Sequence, residues 1–171
     1  INDRPCAFRY PRGTGLGSVL PSINEKLEIG KSRVIQEGKK LAILNFGARL
    51  NETLRAAENL KKKGIKITIV DARFAKPLDE NLIWQLATTH ESIMTIEEGS
   101  IGGFGSHGVN YISKKGLMDS NLKFRSMTLP DIFIDQDIPD NMYKIANLDA
   151  GSIEEKILDL LNSNIILQKQ K

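Results

Sequence analysis

Runs of apolar residues alternate along this chain with stretches whose apolar positions recur every three or four residues. Leu41 to Phe46 (LAILNF) is apolar almost throughout, as expected of a strand buried on both faces. Ile65 to Ala72 (IKITIVDA), Ser92 to Ile96 (SIMTI) and Phe124 to Leu129 read the same way, and Arg33 to Gln36 is a further strand ending in a Glu37-Gly38-Lys39 turn. Between them, Asn51 to Lys63 places Leu54, Ala57 and Leu60 on one helical face and stops at Gly64. Asp79 is the N-cap of a helix through Ala87 that buries Leu82, Ile83 and Leu86, and a third helix carries Val109 and Ile112 to Lys115-Gly116. Asp149 to Leu161 closes the pattern with Ile153, Ile157, Leu158 and Leu161.

Buried strands separated by helices predict an α/β fold of three layers, helices on both faces of a mostly parallel five-stranded sheet. Before it, Cys6 to Tyr10 reads as a strand stopped by Pro11, which belongs to a sheet lying further upstream. The expected organisation is the end of one α/β domain at 1–12, a glycine-rich linker at 13–29, the main domain at 30–162 and a flexible tail at 163–171. A chain that opens on Ile1 and runs almost at once into a strand has the look of a piece of a longer protein.

The most conspicuous connection is Thr95 to Ile112, where Glu97, Glu98, Gly99, Gly102, Gly103 and Gly105 join a strand to a helix that contains His107. Gly103 to Gly108 matches the G-x-G-x-x-G spacing of dinucleotide sites, whose first glycine must end the strand and whose acid must follow the next one. Neither condition is met: Glu97 to Gly102 intervene, and Asp131 lies beyond Pro130. Two carboxylates would also repel a pyrophosphate. The glycines therefore read as a tight turn that brings a helix close to a sheet or to a second subunit. Adjacent on a strand, Glu97 and Glu98 point to opposite faces, so one can take the amides of the turn or an arginine from elsewhere, but they cannot form a facing acid and base. Asp71, Arg73, Lys76 and Asp79 read as an internal ion-pair network.

Composition narrows the chemistry. The 171 residues are 40% hydrophobic and 26% charged with a net charge of +3, and the lysines sit near helix ends without interleaved aromatics, which is a solvated surface rather than a nucleic-acid platform. Cys6 is the single cysteine, and His90 and His107 are the only histidines, in no H-x-x-x-H or H-E-x-x-H spacing. That excludes an internal disulfide and a cysteine or histidine metal cage. No run approaches the ~20 apolar residues of a membrane span. No nucleophile elbow is present. Arg4, Arg9 and Arg12 cluster around the first strand, and Arg12, just past its end, is where open α/β sheets bind anions.

RYPRG (Arg9 to Gly13), LAILNFG (Leu41 to Gly47), DARFAKPLD (Asp71 to Asp79), TIEEGSIGGFGSHG (Thr95 to Gly108) and LPDIFID (Leu129 to Asp135) occur in one order across the whole chain. Together they resemble the C-terminal end of the 1-deoxy-D-xylulose-5-phosphate synthase family, from the last strand of its pyrimidine-binding domain through the transketolase C-terminal domain. The resemblance implies a homodimeric, thiamine diphosphate- and Mg2+-dependent transferase that decarboxylates pyruvate and joins the two-carbon fragment to glyceraldehyde 3-phosphate. It implies a bacterial cytoplasmic or plastid setting, with neither nucleic acid nor membrane as partner. Cofactor and metal residues would lie in upstream domains and none in this piece, which would be inactive alone. Arg12 matches the family's phosphate-binding arginine. Glu97, Glu98, Gly102, Gly103, Gly105 and His107 would form a structural loop, and the domain would supply dimer contacts and support. The β subunits of 2-oxo-acid dehydrogenases share the KPLD and EEG-then-GG-x-G patterns, and a non-catalytic nucleotide-binding module is the other alternative.

Overall fold

A computed structural model describes residues 3, 5 and 26–168, with side chains to 162; Arg12, the Cys6 to Tyr10 strand and most of the linker lie outside them. The strands are β1 (Arg33–Gln36), β2 (Leu41–Phe46), β3 (Thr68–Asp71), β4 (Ser92–Glu97) and β5 (Lys123–Met127). The helices are α1 (Leu50–Lys62), α2 (Glu80–Thr89), α3 (Phe104–Lys114), α4 (Pro139–Ile145) and α5 (Ala150–Gln168), with a 3-10 turn at Leu117–Asp119. One sheet runs in the order β1-β3-β2-β4-β5, parallel throughout except that β1 is antiparallel to β3. This is the three-layer, mostly parallel arrangement that the apolar pattern predicts.

Alternation along the central strands divides the core in two. Leu41, Ile43, Ile69, Met94 and Ile96 pack with Ala57, Leu60, Ile153 and Ile157, so α1 and α5 cover one face. Ala42, Leu44, Val70 and Ile93 pack with Ile83, Leu86, Phe104 and Ile112, which puts α2 and α3 on the other. Both faces of β2 are covered, which is why its sequence is apolar without alternation.

Three of the boundaries that differ from the sequence expectation have a visible physical reason. Residues 65–67 fall outside β3: Ile65 N donates to Leu60 O at the end of α1, while Lys66 O and Ile67 O accept from Lys39 N and Gln36 Nε2 of the β1–β2 hairpin. β5 ends at Met127 because Leu129 N turns aside to Gly99 O. α5 runs past residue 162 to Gln168, so the stretch expected to be a flexible tail is helical over much of its length; nothing between Asn162 and Gln168 is glycine or proline to stop it.

Candidate functional site: the carboxyl end of the sheet

In an open α/β sheet, ligands bind beyond the carboxyl ends of the strands, where successive crossovers leave in opposite directions. Here β2 connects outward to β3 on one side, and the chain then returns to β4 on the other, so that point lies between β2 and β4. Arg49 follows the first strand and the glycine connection follows the second.

Strand β4 includes Glu97, one residue further than the apolar run, paired with Phe46 of β2. Glu97 is 4% exposed, and its carboxylate accepts from Phe104 N at 3.0 Å and Gly105 N at 2.8 Å, the first amides of α3. A helix N-terminus carries about half a positive charge and unsatisfied N–H groups, and Glu97 is the anion that answers both. The glycines make room for it. A Cβ at Gly103 would overlap the Glu97 carboxylate, and one at Gly105 would lie 2.6 Å from Thr95 Oγ1, so glycine at both positions lets α3 sit directly on the strand. Gly102 adopts φ +105°, a conformation closed to side chains, and its N–H bonds to Ser106 Oγ at 2.9 Å. Phe104 stacks on Phe46 with centroids 5.1 Å apart. His107 lies half-buried in the first turn of α3, its backbone N–H on Gly103 O.

Glu98 points the other way. Arg49 Nε reaches its Oε1 at 2.8 Å, and the same guanidinium lies 3.5 Å over the Tyr143 ring of α4. Arg49 is only 15% exposed, so this pair is far better shielded from solvent than a surface ion pair. Burial first, then the hydrogen bond and negative charge of Glu98, push the Tyr143 phenol above its ordinary range, with Arg49 opposing them. The two adjacent carboxylates therefore have separate structural partners, one the start of α3 and the other Arg49 with α4.

Sequence reasoning found the loop but missed Arg49 and Tyr143. Those partners lie far away in the chain and α4 has no buried face to announce it. The expected network at β3 is narrower than proposed: Asp71 takes Arg33 at 3.1 Å and Arg73 at 3.8 Å. Asp79 is instead occupied by backbone, capping α2 at Leu82 N and accepting Ser32 N at 2.8 Å.

The charges in the crevice are thus paired within the protein itself. The α3 amides that a pyrophosphate would need are taken by Glu97, and among the described residues no group of three or more His, Cys, Asp or Glu could hold a metal. These residues do not fit thiamine diphosphate with its metal ion, and no catalytic step is assigned to them.

Residues 30–153 match the family described as transketolase, C-terminal domain. The chain belongs to that family. Among solved structures it is similar to a split-gene transketolase determined as an inactive β4 tetramer, with a TM-score of 0.74 and 25% identity over 85% of this chain. It is also similar in fold to the transketolase of Campylobacter jejuni subsp. jejuni NCTC 11168, with a TM-score of 0.55 and 13% identity over 76% of this chain. The chain spans 46% of the first of these and 18% of the second. In this transketolase C-terminal domain the glycine connection is packed shut by Glu97.

Proposed function

We propose that this chain is the C-terminal part of a thiamine diphosphate-dependent transferase of the transketolase type, and more finely of 1-deoxy-D-xylulose-5-phosphate synthase. The observation that carries the finer reading is where its sequence strings fall. LAILNFG spans β2 and ends on the glycine just past it, while DARFAKPLD leaves β3, TIEEGSIGGFGSHG leaves β4 and LPDIFID follows β5, so all four run out at the carboxyl end of one sheet. RYPRG, outside the described residues, stands before them in the same order.

On this reading the parent enzyme is a cytoplasmic homodimer that consumes pyruvate and glyceraldehyde 3-phosphate. Thiamine diphosphate with Mg2+, held by upstream domains, supplies the carbanion chemistry. This domain supports its neighbour and the dimer. Arg12 holds the aldehyde's phosphate, for which a planar guanidinium offers two parallel hydrogen bonds.

The test is the purified full-length parent. Release of CO2 from pyruvate that depends on glyceraldehyde 3-phosphate, with a five-carbon phosphate ester as product, is the expected result. Transfer to a lipoyl domain instead would point to a 2-oxo-acid dehydrogenase β subunit, which shares the KPLD and EEG patterns, and would overturn the synthase reading. Arg12→Ala is expected to raise the KM for the aldehyde about 10- to 100-fold, the loss of one charge-assisted phosphate contact, and to leave that for pyruvate unchanged. Unaltered aldehyde kinetics would remove Arg12 from the site.

A further inference from the structure

At the amino end of the sheet a cleft of about 640 Å3 lies open, within the roughly 300–1,000 Å3 of small-molecule sites. Its floor is aliphatic. Ile65, in the connection before β3, and Leu158 and Leu161 of α5 are half-buried, packed against the core and lining the cleft with what remains of their surface. Its rim is cationic, with Lys39 and Lys40 in the turn between β1 and β2, and Lys66, whose carbonyl accepts Lys39 N at 3.0 Å. Glu37 and Glu91 are the acids on the same rim.

We infer that this cleft binds a small amphipathic anion, an aliphatic body carrying one carboxylate or phosphate, with its hydrocarbon against Ile65, Leu158 and Leu161 and its head group among Lys39, Lys40 and Lys66. The inference goes beyond the transferase reading and does not depend on it. Charge chooses the ligand. Neighbouring lysines are answered within the fold: Lys63 Nζ reaches Glu154 at 2.7 Å and Lys61 Nζ reaches Glu58 at 3.7 Å. The ammonium groups of Lys39, Lys40 and Lys66 have no carboxylate partner among the described residues, so the rim keeps an excess of positive charge beside an apolar floor. No aromatic side chain lines the cleft to stack on a base, which sets a nucleotide or nucleic acid aside. Lysines are point charges on flexible stems and accept a carboxylate or a phosphate alike.

Backbone geometry at Lys40 agrees with a site. Its φ is +65°, the left-handed region that disfavours side chains, and Leu41 N bonds to Lys39 O at 2.8 Å to close a three-residue turn around it. Glycine would make this turn without strain. Hydrogen bonds over-determine the lysine instead: Lys40 O accepts from both Glu91 N and Ser92 N at 2.9 Å, which fastens the rim to the start of β4. Strain held in place by its surroundings is found where side chains are aimed at a ligand.

The experiment titrates the full-length parent with decanoate and with decyl phosphate by calorimetry, below the concentrations at which either forms micelles. Saturable binding of one molecule per chain is expected, and the tighter of the two names the head group as carboxylate or phosphate. Hexanoate, with its shorter hydrocarbon, should bind at least about tenfold more weakly than decanoate, and decanol, which lacks the charge, should also bind more weakly. Lys39→Gln, Lys40→Gly and Lys66→Gln together remove the cations from exposed positions, with glycine matched to the left-handed turn. This variant should melt like wild type and bind the tighter ligand about tenfold more weakly at low salt; if it does not fold, Lys66→Glu alone asks the same question. No saturable binding, decanol binding as tightly as decanoate, or unchanged affinity in the folded lysine variant would each overturn the inference. So would binding seen only in a parent ending at Asn162, which would give the cleft to the chain's own residues 163–171, with Ile165, Ile166 and Leu167 among them.

Discussion

The two ends of the sheet are built on different principles. At the carboxyl end, long connections are pinned by charge: Glu97 on the amides of α3, and Glu98 on Arg49 and Tyr143. At the amino end, connections are short and rely on close packing and neutral hydrogen bonds. Gly38 presses against the backbone of Ile67, its N–H bonds to Thr68 Oγ1 at 3.0 Å, and Thr68 in turn meets His90 Nε2 at 2.9 Å. A cleft of about 640 Å3 opens at this end between the Glu37 to Lys40 turn and Leu158 and Leu161 of α5. Electrostatic pins hold a loop in place without covering it; packed turns simply close the fold.

The comparison is broken most severely at Glu97. Glu97→Ala strands two buried N–H groups and leaves the start of α3 without its counter-charge, and should cost about 3 kcal/mol at 1–3 kcal/mol for each orphaned donor. Glu97→Gln keeps one acceptor and should cost roughly half as much. Chemical denaturation of the two variants checks the ratio; equal and small losses would mean that the carboxylate is not what fastens the helix.

At the amino end the counterpart is Gly38→Ala. A methyl group there would overlap Ile67 backbone, which cannot swing aside as a side chain can. The expected loss is about 2 kcal/mol, as for an overpacked site. A neutral result would show that the hairpin has slack and that packing is not what closes this end.

How much of this was legible beforehand follows from the same physics. Central strands and their covering helices announce themselves because burial on both faces forces long apolar runs, as in Leu41 to Phe46. The loop at Glu97 was legible as a turn because only glycine tolerates the close approach of α3. α4 was not legible: it buries no residue, so no stripe marks it, and Pro139 in its first turn was its one signal. Nor were Arg49 and Tyr143 recognisable as partners of Glu98, since a side-chain contact between distant connections leaves no local pattern. Arg12 stands outside the described residues, and its role rests on the resemblance of RYPRG.

A smaller effect is expected at Arg49. Removing it in Arg49→Ala leaves Glu98 without its cation, but that carboxylate is 28% exposed and recovers part of its hydration. The cost should be near 1 kcal/mol. The sharper readout is Tyr143. Arg49 lowers its pKa and Glu98 raises it, so Arg49→Ala should move the phenol titration upward and Glu98→Gln downward. Shifts in the same direction would mean that the three side chains do not act as one cluster.

The smallest effect tests the neutral end by pH. Thr68 Oγ1 accepts from Gly38 N and lies 2.9 Å from His90 Nε2, while Thr89 Oγ1 gives its proton to Gln85 O and so accepts from Nδ1. That puts a proton on Nδ1, and in the neutral ring Nε2 accepts the Thr68 hydroxyl proton. Burial holds the His90 pKa below 6.5, opposed by the backbone hydrogen bond to Leu86. Because the folded value is the lower one, the stabilisation is complete above pH 6.5 and is lost as pH falls from there towards the folded pKa. Wild type should therefore lose Tm over that interval by more than His90→Gln does, the two curves running parallel at higher pH. Curves that stay parallel on the acid side as well would mean that His90 titrates alike in folded and unfolded chains, and that the amino end owes nothing to a neutral histidine.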